Sequence, residues 1–275
     1  MNVNRFNNSD FPYEELEDFG LTRNMIEDLP MDVLENILNG QRSPVLPMVK
    51  TTPDGDKLKF KGKFSLKMND YGKTEINFHP VVTQKEDGMY MTITNETTGE
   101  IIEKPVPQKQ TYSKETMQLL NEGKAVLDFT TGSDGRHIKA FLQKDPETNE
   151  ILAIPSGVIG RNLHLIMNEF NLNEAEANCI QNGNILTIEY EDEPISIGID
   201  LNHTFGIRMQ HGSEAKWKEK RTREWNKYTV GVFGCWVMDE DGLDYVPEES
   251  YSEEMWEEIE RQRYNKKGSQ QGVKY

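Results

Sequence analysis

The stretch Leu119-Leu120-Asn121-Glu122-Gly123-Lys124-Ala125-Val126-Leu127-Asp128-Phe129 decides how the whole chain reads. An apolar pair runs into an Asn/Gly stop, which marks a helix end because glycine takes the left-handed conformation that closes the last turn. A short apolar strand follows over residues 125–129. Ser133-Asp134-Gly135 supplies a turn, residues 137–142 a second strand, residues 145–149 another turn and residues 151–154 a third strand. Strands joined by turns this short pair only with antiparallel neighbours.

The same succession occurs on either side. Ile37-Leu38-Asn39-Gly40 is a stop followed by a turn at Pro53-Asp54-Gly55, a strand over 58–66, a turn over 69–72 and a strand over 74–78. Cys179-Ile180-Gln181-Asn182-Gly183 is followed by strands over 185–190, 195–200 and 205–209. An extra hairpin, 89–94 with 101–105, lies between the first and second copies. The pattern predicts an α+β fold of repeated units, each a helix plus a three-stranded antiparallel meander.

The flanks differ. Asp10, Thr22 and Pro30 open three short N-terminal helices, with Gly20 past the first and Gly40 past the third. Ser213 opens a helix running to about Tyr228, followed by a strand pair over 230–238 and 243–246. Ser252 caps a last acidic helix, and residues 265–275 read as a frayed tail. The expected organisation is a helical head (1–42), a first meander with its hairpin (43–110), two helix-meander units (111–160 and 161–212), a basic aromatic helix with a strand pair (213–250), and an acidic helix with the tail (251–275).

The 275 residues carry a net charge of −16, unevenly placed. Residues 10–36 hold nine acids and one base, and residues 239–260 hold eleven acids and no base. No apolar run approaches the roughly 20 residues of a membrane helix, and the first residues lack a signal-peptide core. The expectation is a cytoplasmic protein with no membrane partner. Cys179 and Cys235 are too few for a disulfide framework or a zinc ribbon and read as buried free thiols.

Several stretches resemble proteins encoded on conjugative mobile elements of Gram-negative gut anaerobes, which carry two domain families of unknown function. The first is similar at Gly20-Leu21-Thr22-Arg23-Asn24-Met25-Ile26-Glu27-Asp28-Leu29-Pro30 through Leu38-Asn39-Gly40-Gln41-Arg42-Ser43-Pro44. The second is similar at Leu120-Asn121-Glu122-Gly123-Lys124-Ala125, Asp134-Gly135-Arg136-His137-Ile138-Lys139-Ala140-Phe141, Val158-Ile159-Gly160-Arg161-Asn162-Leu163 and Tyr228-Thr229-Val230-Gly231-Val232-Phe233-Gly234-Cys235-Trp236-Val237-Met238. The resemblance implies a setting among genes for transfer, maintenance or defence evasion of mobile DNA. It implies no catalytic residues.

The residues themselves give no catalytic constellation. None of His79, His137, His164, His203 and His211 stands at zinc-ligand spacing from another His or a Cys. Gly231-Val232-Phe233-Gly234 lacks the Lys-Ser/Thr pair of a phosphate loop, and no serine sits in a Gly-x-Ser-x-Gly elbow. The expectation is a non-enzyme with no cofactor and no metal. Arg161, early in a helix over 158–171, is expected to pair with an acidic neighbour or take a capping role, the alternative being a contact with phosphate.

The sharpest candidate is the predicted helix over 216–228. At 100° per residue, Lys216, Lys220, Arg223 and Lys227 form one stripe, with Trp217 and Trp225 on the adjoining one. Bases beside aromatics suit single-stranded nucleic acid. The alternative is that the aromatics dock the helix while its bases face water or the acids of 239–260. Two functions follow. One is a non-enzymatic accessory factor of mobile DNA that binds nucleic acid or a DNA-processing protein. The other is an acidic DNA-mimic decoy acting against restriction or defence enzymes.

Overall fold

The computed structural model describes residues 5–107, 110–132, 135–219 and 223–271, of residues 263–271 the backbone only. The head holds three short helices, α1 (Tyr13–Glu17), α2 (Arg23–Glu27) and α3 (Met31–Leu38). Thr22 caps α2 by accepting from the Met25 N–H at 3.3 Å. Asp10 does not cap α1 as expected. It closes a preceding 3-10 turn by accepting from the Asn7 N–H at 2.8 Å, and Pro12 stands at the helix start.

Strands β1 (Leu46–Thr51), β2 (Lys57–Met68), β3 (Thr74–Pro80), β4 (Val82–Lys85), β5 (Gly88–Asn95) and β6 (Ile101–Val106) form one antiparallel sheet with β2 at its centre. Helix α4 (Lys114–Asn121) precedes a second sheet of β7 (Val126–Thr131), β8 (His137–Lys144) and β9 (Ile151–Pro155). Helices α5 (Ser156–Phe170) and α6 (Glu174–Gln181) lead to a third sheet of β10 (Leu186–Tyr190), β11 (Glu193–Ile199) and β12 (Ile207–His211). The chain ends in α7 (Glu214–Glu219), a sheet of β13 (Tyr228–Val230), β14 (Gly234–Asp239) and β15 (Gly242–Pro247), and α8 (Glu253–Gln271). The class is α+β. Helix, glycine stop and three antiparallel strands in sequence order occur at α3–β3, α4–β9 and α6–β12, with φ of +83°, +78° and +76° at Gly40, Gly123 and Gly183.

The β-turns share one device. The carboxylate of Asp145 accepts from the N–H groups of Glu147 and Thr148 at 2.8 and 3.2 Å. The amide oxygen of Asn95 does the same for Thr97 and Thr98 at 2.9 and 3.2 Å. A short polar side chain at the first turn residue replaces the missing ladder partners. Of the turn expected at 133–135, Ser133 and Asp134 lie outside the described residues.

Two main cores result. The first joins the head to one face of the first sheet, through Phe60, Phe64 and Leu66, and takes in Trp236 and Leu243 from the C-terminal sheet. The second lies between the second and third sheets around Ile159, Leu163 and Ile166 of α5. Smaller clusters sit under α4 and α8.

Three flanking expectations are corrected. The strand over 230–238 is broken at Gly231–Phe233, because the buried Asp28 carboxylate accepts from the N–H groups of Val232 and Phe233. A Cβ on Gly231 would lie 2.1 Å from Asp28 Cγ, so only glycine admits that carboxylate. Of the helix expected from Ser213 to Tyr228, Glu214–Glu219 is helical and residues 223–226 are not. The tail expected to fray from 265 is helical through Gln271. Of the two thiols, Cys235 is fully buried and Cys179 half-buried. Among the described residues no helix is long and apolar enough to cross a membrane.

Glycines of positive φ differ in what surrounds them, a helix stop at Gly183 and a strand turn at Gly72. At Gly183 a Cβ would meet the Ala125 carbonyl oxygen at 2.0 Å, whereas at Gly72, with φ of +74°, it would meet nothing within 4 Å. Gly72→Ala should cost only the backbone term of about 1–2 kcal/mol. Gly183→Ala should cost clearly more, because a helix end must separate from the start of β7. Urea denaturation of the two variants checks this, and equal losses would show that the close approach carries no weight.

Candidate functional site

The predicted basic stripe is not brought together. Trp217 is 4% exposed and belongs to the third sheet. Its indole N–H donates to the Arg208 carbonyl at 3.1 Å, its ring lies 4.0 Å from the Arg208 guanidinium, and Gly198 leaves the space it fills. Trp225 is half-buried against the first core, with Arg223 over its ring. The helix Glu214–Glu219 carries Trp217, and residues 223–226, which carry Trp225, are not helical, so the two rings do not share a helical face. Arg223 pairs with Asp32 of α3, and Lys227 pairs with Glu254 of α8 at 2.6 Å. Lys216 is exposed on α7. Lys220 lies outside the described residues. Arg161 is exposed and forms no ion pair among the described residues, so the expected pairing is absent there.

A polar site that the sequence reading missed lies where the two main cores meet. On β2, Phe60, Phe64 and Leu66 face the first core, and Lys59, Lys61, Lys63, Ser65 and Lys67 face the other way. The turn between β8 and β9 presses onto this second face. Lys63, 5% exposed, donates to both oxygens of Asp145 at 2.9 and 3.2 Å and pairs with Glu147 at 2.7 Å. Arg42, between α3 and β1, pairs with Glu150 at 2.9 Å and approaches Asp145 at 3.6 Å. Two further bonds continue the seam: the Val82 N–H donates to the Thr148 carbonyl at 3.0 Å and the Asn149 side-chain Nδ2 donates to the Val82 carbonyl at 2.8 Å. A cleft of about 190 Å³ opens beside it, lined by Asn36, Gln41, Arg42, Lys63, Glu147 and Asn202, among others.

His79 stands at the end of this seam. Its Nδ1 lies 2.9 Å from Glu150 Oε2, and its Nε2 lies 3.0 Å from Ser65 Oγ and 3.2 Å from Asn77 Nδ2. Ser65, His79 and Glu150 thus share the connectivity of a hydrolase relay. Asn77 competes for the imidazole lone pair that a nucleophilic serine would need, and Ser65 does not line the cleft. Burial, assisted by the Arg42 charge, lowers the His79 pKa against the opposing pull of Glu150, so the ring is neutral and donates from Nδ1. Burial pushes Asp145 and Glu150 up, but Lys63 and Arg42 and the bonds they and His79 make hold both below their ordinary values. Among the described residues, no three His, Cys, Asp or Glu side chains form a metal site.

A second charged region lies on the C-terminal sheet and α8. Ten of the eleven acids between 239 and 260 are exposed. Among the described residues only Asp244, Glu254 and Glu258 of these form ion pairs, with Lys59, Lys227 and Arg261. Beneath this surface, burial pushes the Cys235 thiol up to about 11, which leaves it unreactive.

Residues 6–87 match the model of a family described as a protein of unknown function (DUF4099). The match takes in the head and β1–β4. No curated protein and no solved structure matches the chain.

The seam makes stability depend on pH with a definite sign. A histidine whose folded pKa is lowered from 6.5 stays neutral while the unfolded chain takes up a proton, so stability falls as pH drops below about 6.5. A further loss follows as pH falls past the ordinary carboxyl values of 3.8 and 4.5 and through the lowered folded values of Asp145 and Glu150. The urea midpoint should therefore be lower at pH 5.5 than at pH 7.5. His79→Gln should shrink that difference without removing it, since burial lowers His203 as well. A midpoint equal at both pH values would contradict a neutral buried His79.

Proposed function

We propose that this chain is a non-enzymatic accessory protein of a mobile genetic element that binds a basic, DNA-processing or defence protein. The observation that carries the reading is the C-terminal surface of exposed carboxylates, most of them without a cationic partner among the described residues. A protein shaped to grip DNA presents bases spaced for phosphates, and carboxylates held on a folded surface offer it the same charge pattern. The expected stripe supports nucleic-acid binding poorly, because Arg223 and Lys227 are tied to Asp32 and Glu254. The setting in mobile DNA rests on the resemblance of the head and the later segments to proteins of conjugative elements.

The same surface serves a decoy reading, in which the partner is held away from DNA. The immobilised protein should capture from cells carrying the element a DNA-binding protein that is released by duplex DNA and by about 0.5 M salt, where screening shortens to a few ångströms. Changing Glu248, Glu249, Glu257 and Glu260 to Gln should abolish capture and leave the melting temperature unchanged, since exposed substitutions shift stability by about 0.5 kcal/mol or less each. Undiminished capture by that variant would sink the reading. A captured enzyme that still works on DNA favours the accessory role, and one that is silenced favours the decoy.

A further inference from the structure

The second sheet has one covered face and one that is half open. Helix α4 covers the face carrying Ala140 and Leu142. On the opposite face the register sets Leu127 beside Phe141, Phe129 beside Lys139 and Thr131 beside His137. Helix α5 buries Phe141 and stops there, leaving Phe129 56% and Leu127 40% exposed, with His137 and Lys139 open to solvent. Pro155 pairs with Ala140 and α5 begins at the next residue, so the first turn of α5 stands beside Lys139. That turn holds no acid, and Arg161 one turn further on is exposed.

The charge here runs against the rest of the molecule. In a chain of net charge −16, the described stretch 135–144 holds no acid and sets Lys139 on this face, while Lys144 turns to the covered face and donates to Asn121 Oδ1 of α4 at 3.0 Å; residues 151–168 hold Arg161 and no acid. The strand acid Asp128 points to the other face, where the Thr116 hydroxyl donates to it at 2.9 Å. The free edge of β7 is closed. The Gln110 side chain donates to the Phe129 carbonyl at 3.0 Å and accepts from the Thr131 N–H at 2.8 Å, filling the place an added strand would take. A protein strand is thereby disfavoured, and the flat face stays available.

We propose that this open face, with Phe129, Leu127, His137 and Lys139 beside the start of α5, binds single-stranded nucleic acid. An aromatic ring standing on a sheet face is a platform for an unpaired base, and the flanking cations meet the phosphates on either side of it. The contact is local: at physiological salt the repulsion from carboxylates beyond about 8 Å is largely screened. The surface is separate from the carboxylate-rich C-terminal region, so it stands whether or not a partner protein binds there.

Fluorescence anisotropy with labelled 15-mers of oligo(dT) and oligo(U) tests this on the full chain. Both should bind, with affinity falling about sevenfold between about 50 and 200 mM salt if two phosphates are neutralised at a slope near −0.7 each. Phe129→Ala should weaken binding roughly tenfold through lost stacking, and Lys139→Glu should weaken it further. Both side chains are exposed, so the melting temperature should hold. Lys227→Glu, on the dispersed stripe, should change nothing. Binding of only one oligonucleotide type assigns the face to DNA or to RNA. No binding by the unaltered protein at 50 mM salt, or binding indifferent to Phe129→Ala and Lys139→Glu, overturns the proposal. So does a Phe129-dependent dimer that binds neither strand.

Discussion

Lys63 against Asp145 is the contact on which the arrangement of the two cores rests. Both residues are almost fully withdrawn from water, and burying each charge costs several kcal/mol before pairing offsets it. The offset is thorough. The carboxylate also accepts two backbone N–H groups of its own turn, and the ammonium reaches Glu147 as well. Removing either partner would strand the other in a medium that cannot solvate it, so the pair fixes one register between the first sheet and the second unit. An apolar seam would tolerate sliding. A buried ion pair with saturated hydrogen bonds does not.

The head and the C-terminal sheet are bound by a comparable device. Asp28 sits in the gap left by Gly231 and accepts from two backbone N–H groups and from the Tyr245 hydroxyl at 2.6 Å. Burial and that carboxylate push the Tyr245 phenol up, so it stays protonated and keeps donating. Trp236 completes the junction, its indole N–H donating to the Met25 carbonyl at 3.2 Å while its ring fills the first core. Segments more than 200 residues apart in sequence thus share one core, against which Trp225 also packs.

This explains how charge is distributed at the surface. Two of the bases that a sequence pattern groups together are each met by an acid of another segment, Asp32 at Arg223 and Glu254 at Lys227. What remains without an ion pair among the described residues is a run of carboxylates near one end and, on the second sheet, Lys139 beside the exposed Phe129. Each follows from which side chains the fold left over, and each suits a different kind of partner.

Much of the fold was legible because it is local. Asn/Gly stops, Asx turns and two-residue alternation specify helix ends and antiparallel hairpins from neighbours in sequence, and Gly40, Gly123 and Gly183 end their helices where the pattern places them. The alternation of lysine with apolar residues along β2 was equally visible. It marks two faces but not which lysine is buried, since Lys63 is covered by the turn at Asp145 while Lys61 stays exposed and donates to the Asp241 carbonyl. The stripe over 216–228 failed for the same kind of reason. Helical periodicity is a statement about one segment, whereas Trp217 packs on the third sheet at Arg208 and Gly198 and Trp225 packs against the first core. Local pattern in the chain is enough for the α+β class, the succession of antiparallel strands and the acidity of both flanks. Which charges meet is a matter of long-range packing, because pairing a buried Lys63 with Asp145 depends on contacts between distant segments that no local pattern encodes.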